Sequence, residues 1–311
     1  MMNYLPNLNL TTVWSYPLIN LYSMKKLFLF VCLICLSFQG VAQDDLLNEL
    51  QQTAEPQPKQ IEMAAFKGLQ ICNMQSTKLA AKGEWYFVVS HRFGNLKEGT
   101  NNFFGLDNAY TKIGGLYGVT NWLTLSASRH TYNKLYELSS KVKLANQEVD
   151  GFPVTIVTYH SMEINSELKK EDFPTIQFKD RLAFTSQLLV SRKLNERISV
   201  ELNGIYVHKN LYEPLEEQKD EILVATGGRC KLSKRLSMNI EYAARTNPVK
   251  YSPYDNPLAL GLDIETGGHV FQMLFASSQP MNDVGYYTNG TGSWTNNTKG
   301  LYFGFNMYRV F

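Results

Sequence analysis

The sequence is poor in the features that mark most function classes. It has four Cys and five His in 311 residues, and none of them falls into a His-Glu-x-x-His or other zinc spacing. No Ser/His constellation stands out, and the expectation is a non-enzyme without a cofactor. The Gly pairs 114–115, 227–228 and 267–268 precede no helix, which excludes them as phosphate cradles. Neither charge sign dominates, with 30 Lys+Arg against 28 Asp+Glu, so nothing argues for a nucleic-acid partner. After residue 42 no stretch approaches 18 consecutive apolar residues, which excludes helical membrane spans. If this part of the chain enters a membrane, it does so as strands.

The one long apolar run lies near the start. Met24-Lys25-Lys26 precedes twelve apolar or small residues, Leu27 to Phe38, followed by Gly40 and Ala42 at the −3 and −1 positions of a cleavage site. This is the layout of a secretory signal over 24–42, and the run is too short for a helix that needs about 20 residues. Met24 reads as the true start, with residues 1–23 an over-extended frame. Cleavage after Ala42 removes Lys25, Lys26, Cys32 and Cys35, leaving 28 bases against 28 acids, and Cys72 with Cys230. Those two thiols could pair in an exported chain, but sequence alone does not establish it.

Residues 43–83 read as an N-terminal periplasmic segment outside the membrane. It has a short helix at Asp44–Thr53 ended by Pro56 and Pro58, then a polar, irregular lead-in with a possible strand at Leu69–Asn73. From Glu84 the chain is a succession of β-runs: 84–93, 110–119, 122–130, 134–145, 153–161, 181–192, 197–207, 221–231, 235–244, 257–264, 269–276 and 300–311. Alternation is clear in several. Ile198, Val200, Leu202 and Tyr206 oppose Ser199, Glu201 and Asn203; Met238 and Ile240 oppose Asn239 and Glu241; Leu260, Leu262 and Ile264 oppose Gly261, Asp263 and Glu265. In 84–93, 122–130 and 221–231 the faces are blurred. The last run alternates Leu301, Phe303, Phe305 and Met307 with Tyr302, Gly304, Asn306 and Tyr308, and the chain ends on Phe311. Left open in a soluble sandwich, such an edge invites aggregation, whereas a barrel in lipid requires it.

The connections favour the barrel. Turns at 120–121, 146–151, 194–196, 232–234 and 265–268 are short, whereas the other set is mostly long and polar, at 94–109, 162–180, 208–220, 245–256 and 277–299, with only 131–133 short. Outer-membrane barrels show this alternation, with an even strand count and both termini on the short-turn side. A weak repeat, Lys-Leu-x-x-Arg-apolar-Ser at 193–199 and 231–237, sits at two of the short turns. The expected fold is all-β: an up-and-down antiparallel transmembrane β-barrel of about twelve strands over 84–311.

Three internal segments carry a resemblance: Ser90-His91-Arg92-Phe93-Gly94, Asn102–Asp107 and Asp263-Ile-Glu265-Thr-Gly267-Gly268-His269-Val-Phe-Gln272. With the terminal Gly-Phe-Asn-x-x-Arg-x-Phe pattern ending at Phe311, they resemble an uncharacterised family of outer-membrane β-barrels from Bacteroidota, over about 66–311. The resemblance implies fold and location and no activity. A terminal Phe also resembles the signal read by the barrel-assembly machinery, although Arg309 stands where that signal usually carries an aromatic. That machinery and outer-membrane lipid are the expected partners.

Glu201, Asn203, Glu241, Asp263 and Glu265 are expected to face the lumen. Asp263 and Glu265, two residues apart on one face, could do acid/base work and are expected instead to pair with inward Lys or Arg. His91 and His269 read as structural hydrogen-bonders. Trp85, Tyr110, Trp122, Tyr206, Tyr242 and Tyr302 suit aromatic girdles. The loop Tyr286–Trp294 reads as a mobile surface loop, with the aromatic and small polar content of a binding loop. A passive channel or transport barrel is the leading function. A structural or surface-binding barrel with a filled lumen is the alternative, and a lipid-acting barrel enzyme comes third. Twelve strands allow either an open or a filled interior.

Overall fold

A computed structural model describes residues 60–311. The expectations for the start at Met24, the signal over 24–42 and the helix at 44–53 lie outside these residues. Twelve strands follow in order: β1 (Trp85–Asn95), β2 (Tyr110–Thr120), β3 (Leu123–His130), β4 (Leu135–Ala145), β5 (Thr155–Asn165), β6 (Leu182–Lys193), β7 (Ile198–Lys209), β8 (Asp220–Lys231), β9 (Leu236–Arg245), β10 (Leu258–Thr266), β11 (His269–Ala276) and β12 (Tyr302–Val310). They are 8 to 12 residues long, the length a tilted strand needs to cross hydrocarbon. Each pairs antiparallel with its neighbours in sequence, and β12 pairs back onto β1, so the barrel closes without an edge.

Closure fixes the two faces. Across the seam Ser90 sits opposite Asn306 and Val88 opposite Tyr308, all four pointing inward, while Phe305 and Met307 point out. The outward surface carries Leu188, Leu202, Ile222, Ile240 and Phe271, all exposed, a composition that lipid solvates and water does not. The last residue is held by the ladder itself: Phe311 donates its N–H to the Trp85 carbonyl at 2.9 Å. Arg309, the departure from the assembly signal, lays its guanidinium over the Phe311 ring at 4.7 Å.

The repeat at 193–199 and 231–237 is turn chemistry. Leu194 and Asn195 both donate to Ile198 O, and Leu232 and Ser233 both donate to Leu236 O. In the β10–β11 turn Gly268 adopts φ +112°, a conformation that L side chains rarely take.

The interior corrects two expectations. Residues 65–80 are not a lead-in outside the membrane: most of them are buried against the inner wall of the barrel. The stretch Tyr286–Trp294, read as a surface loop, starts inside the barrel, because helix α1 (Asp283–Thr288) is wholly buried, with Tyr286 1% and Tyr287 0% exposed. The inner wall is not uniformly polar. Ile205, Val207, Leu223 and Ala225 point inward and form one apolar cluster with Phe66, Ile71, Met74, Val284, Tyr286 and Tyr287. A lumen filled with protein needs a core, and a core needs apolar inward residues. This explains the blur in β8 and β1. In β8, Ile222 and Val224 face lipid while Leu223 and Ala225 face the filling, so both faces are apolar. In β1, inward Tyr86 and Val88 pack with Leu69, Ala80 and Tyr308.

Candidate functional site

The site is the occupied lumen. The chain from residue 60 runs first across the short-turn end, where Ile61 bridges Glu148 and the Glu62 carboxylate takes the Lys193 ammonium at 2.5 Å. That hydrogen bond holds the Glu62 carboxyl below the usual carboxylate range. The segment then turns into the barrel as a tight hairpin. Gln70 bridges Gln75, and Ile71 N–H donates to Met74 O at 2.8 Å. Its second arm returns to the same end, where Lys82 N–H reaches the Asn121 side chain in the β2–β3 turn.

A turn leaves backbone groups unpaired, and burying them costs free energy unless partners are supplied. The wall supplies them. At the tip, Cys72, Asn73 and Met74 donate their N–H groups to the Glu241 carboxylate at 2.8, 2.8 and 3.0 Å. At the base, Lys141 Nζ donates to Leu69 O at 2.7 Å and Ser76 O at 2.8 Å, one carbonyl on each arm. Asn306 Nδ2 donates to Cys72 O at 2.8 Å, Asn239 Nδ2 to Ile71 O at 3.2 Å, and Arg92 Nη2 to Asn73 Oδ1 at 2.6 Å. Glycines make the room: a Cβ on Gly227 would stand 2.4 Å from Ile71 Cδ1, and one on Gly261 would stand 2.7 Å from Cys72 Sγ. Burial pushes the Cys72 thiol well above its usual range. Cys72 and Cys230 are both free thiols.

The second filling enters from the long-loop end. The Asp283 carboxylate accepts from Tyr159 OH at 2.7 Å, from Gln187 Nε2 at 3.0 Å and from the hairpin's Gln75 Nε2 at 3.2 Å. Burial, and secondly the nearby Glu137 charge, pushes Asp283 up to about 6. Glu163 on β5 accepts from Asn282 Nδ2 at 2.7 Å and Val284 N–H at 3.1 Å. Tyr286 OH donates to Glu241 Oε1 at 2.7 Å. Hairpin and loop therefore meet inside the barrel on Glu241 and across Gln75–Asp283.

Of the residues read from sequence as lumen-facing, all five lie on the inward face. Glu201 accepts Thr77 N–H at 3.0 Å, Asn203 Nδ2 reaches Gln75 O at 3.4 Å, and Glu241 is the tip acceptor. Asp263 takes the Gln272 amide at 2.6 Å rather than a cation, whereas Glu265 pairs with Arg229 at 2.9 Å and Lys67 at 3.6 Å. The family-like residues do not converge on one site. Arg92 is buried on the hairpin, but His91 faces outward, bonding Thr111 at 2.9 Å and stacking on Phe305. His269 stacks on Phe271 near the short-turn end, Gly94 packs on Gly105, Gly267 and Gly268 make a turn, and Phe311 is at the seam. Among the girdle candidates Trp85, Trp122, Tyr206 and Tyr242 are exposed outward, but Tyr302 points inward onto Thr291. Sequence reasoning missed Lys141, Glu163, Asp283 and Tyr286. A buried Lys on a strand and the acid-aromatic stretch after Asn282 are visible in hindsight, but nothing local says what they meet.

A family model described as a membrane bound beta barrel domain (DUF5777) matches residues 66–311. The chain belongs to this family. The matched span begins at Phe66, so it takes in the lumen hairpin together with the barrel. No curated protein matches the chain. Among solved structures it is similar to the NanC porin, at 8% identity and TM-score 0.47, covering 72% of this chain and 98% of that one. It is also similar to the KdgM porin, at 9% and 0.46, covering 73% and 99%. A third is an outer membrane channel from Pseudomonas putida F1, at 12% and 0.44, covering 75% and 97%.

Proposed function

We propose that this membrane-bound barrel is a gated channel of the outer membrane, non-enzymatic, held closed by its own N-terminal hairpin and last long loop. The observation that carries the reading is the convergence on Glu241, where three hairpin amides and the loop's Tyr286 hydroxyl share one buried carboxylate. A filling held by hydrogen bonds to side chains, with no strand-to-strand pairing to the barrel wall in the described residues, can leave without breaking the barrel ladder. Conductance in planar bilayers tests this. The full chain should open rarely, and a chain lacking residues 60–80, in which the last loop keeps its wall contacts but loses Gln75, should open far more often. A folded deletion variant that carries no current would contradict the reading.

A second reading has its own observation. The apolar cluster of Ile71, Met74, Ile205, Val207 and Leu223 is core-like, as in a structural barrel with a permanently filled lumen. The same deletion separates the two, because a permanent core is needed for folding and a gate is not.

The route to the membrane follows from the sequence: export by the 24–42 signal, cleavage before Gln43, and insertion by the barrel-assembly machinery from the side bearing the short turns. A source among the Bacteroidota accords with the family resemblance. Mature protein whose N-terminal sequence begins upstream of Lys25 would overturn the export step.

A further inference from the structure

We infer that the short-turn end of the barrel holds a binding site for a small multivalent oxyanion, a solute with several negative charges on phosphate or carboxylate groups. A cavity of about 450 Å³ opens there between the base of the hairpin and the turns that join β8 to β9 and β10 to β11. Ligand sites usually run from about 300 to 1,000 Å³, so the space suits a small solute. The hairpin contributes Lys67 and Lys78 to the lining, and the β8–β9 turn contributes Lys234 and Arg235. Glu265 is the one acid among the lining residues, and it is already engaged. Arg229 Nη2 stands 2.9 Å from its carboxylate and Lys67 Nζ 3.6 Å.

The excess of base selects the charge of the ligand. Among the described residues, the side chains of Lys78, Lys234 and Arg235 make no hydrogen bond or ion pair. Glu84, near Lys78, lies outside the lining and accepts Ala81 N–H at 2.9 Å. Two cations therefore come from the hairpin and two from the wall, against one shared carboxylate. Like charges gathered around one space repel, and an anion placed between them turns that repulsion into attraction. A monovalent anion has a single charge to set against them, whereas a multivalent oxyanion spans from hairpin to turn. Lysine meets it as a point charge, and the guanidinium fork of Arg235 can pair with two of its oxygens. A cation would be repelled, and a neutral solute would leave the four charges as they are. The excess extends beyond this cavity. Lys78 also lines a neighbouring one, where Lys143 is a further cation and Glu62 is held by Lys193.

Equilibrium binding to the purified full chain in detergent tests the site, at neutral pH and low ionic strength, with inorganic pyrophosphate and citrate as probes. At least one should bind saturably below about 1 mM, and added KCl should weaken it. The two probes separate phosphate from carboxylate recognition. Lys234→Gln combined with Arg235→Gln should weaken the binding about tenfold. Both residues are exposed on a turn, so the barrel should still form, and heat-modifiable migration on gels verifies it. Lys78→Gln carries the test if that variant does not fold. Lys170→Gln combined with Lys219→Gln removes the same charge from exposed positions on the long loops and should leave binding unchanged. Saturable binding of neither probe, or equal affinity in the two double variants, overturns the inference. The measurement involves no current, so it can fail in a conducting barrel and succeed in a silent one.

Discussion

Glu241 and Lys141 grip one hairpin from nearly opposite walls of the barrel. The carboxylate on β9 takes the amides of the tip, and the ammonium on β4 takes the carbonyls of the base. β4 and β9 stand five places apart in a ring of twelve. The two side chains complete the hydrogen bonds that the hairpin cannot make for itself.

Removing the acceptor should therefore loosen the hairpin and leave the wall intact. In Glu241→Ala three amides and the Tyr286 hydroxyl lose their partner, at about 1–3 kcal/mol for each donor left buried and unpaired. The variant should still migrate as a heat-modifiable barrel and should open far more often in planar bilayers. Current indistinguishable from the parent chain would argue against the clamp.

Gly227 and Ile71 should behave as a pair. A Leu at 227 fills the space of the Ile71 side chain, and overpacking of this kind costs about 1–3 kcal/mol. Gly227→Leu alone should expose residues 65–80 to protease. Combining it with Ile71→Ala should restore protection, and a failure of that rescue would show that the hairpin is not seated on Gly227.

The two faces of β7 should respond differently to charge. Leu202 is 56% exposed on the lipid side, where Arg near the midplane costs about 2–4 kcal/mol and should reduce the yield of folded barrel. Asn203 is 0% exposed and reaches Gln75 O, so Asn203→Arg should displace the hairpin and raise conductance in a barrel that still forms. Equal loss of folded barrel in both variants would refute the assignment of faces.

Loss of the closing strand should abolish the barrel rather than weaken it locally. β12 pairs with both β1 and β11, so deleting 301–311 strands two rows of backbone groups in hydrocarbon at several kcal/mol per group. Protease-sensitive protein outside the membrane is the expected outcome. A heat-modifiable, membrane-embedded truncation would contradict closure by β12.

The barrel was legible in the sequence because its causes are local. Leu202 beside Asn203, and Ile240 beside Glu241, declare a face by alternation alone. The short turns declare their end by length, and the twelve strands counted there are the twelve observed. The filling was not legible. Leu69 to Thr77 has no period because its partners, Lys141, Glu201 and Glu241, lie far along the chain on three different strands. Polar side chains that would suit a wet channel, such as Glu241 and Asn306, suit equally a hairpin that needs its backbone satisfied. Blurred alternation in β8 and β1 was the sequence trace of the filling, since Leu223, Ala225 and Val88 have no reason to be apolar against water.

The claim that the hairpin is a movable gate is tested most directly by tethering it. Gly261→Cys, in a chain whose Cys230 is replaced by Ser, places a new Cβ close to the native Cys72 Sγ, where ideal geometry gives 2.7 Å. A sulfur–sulfur bond of about 2.05 Å can form from that separation with small adjustment. Single-channel recording before and after reduction is the measurement. The account predicts a silent oxidised barrel whose openings return on adding dithiothreitol. Equal current in the cross-linked and reduced states would contradict it.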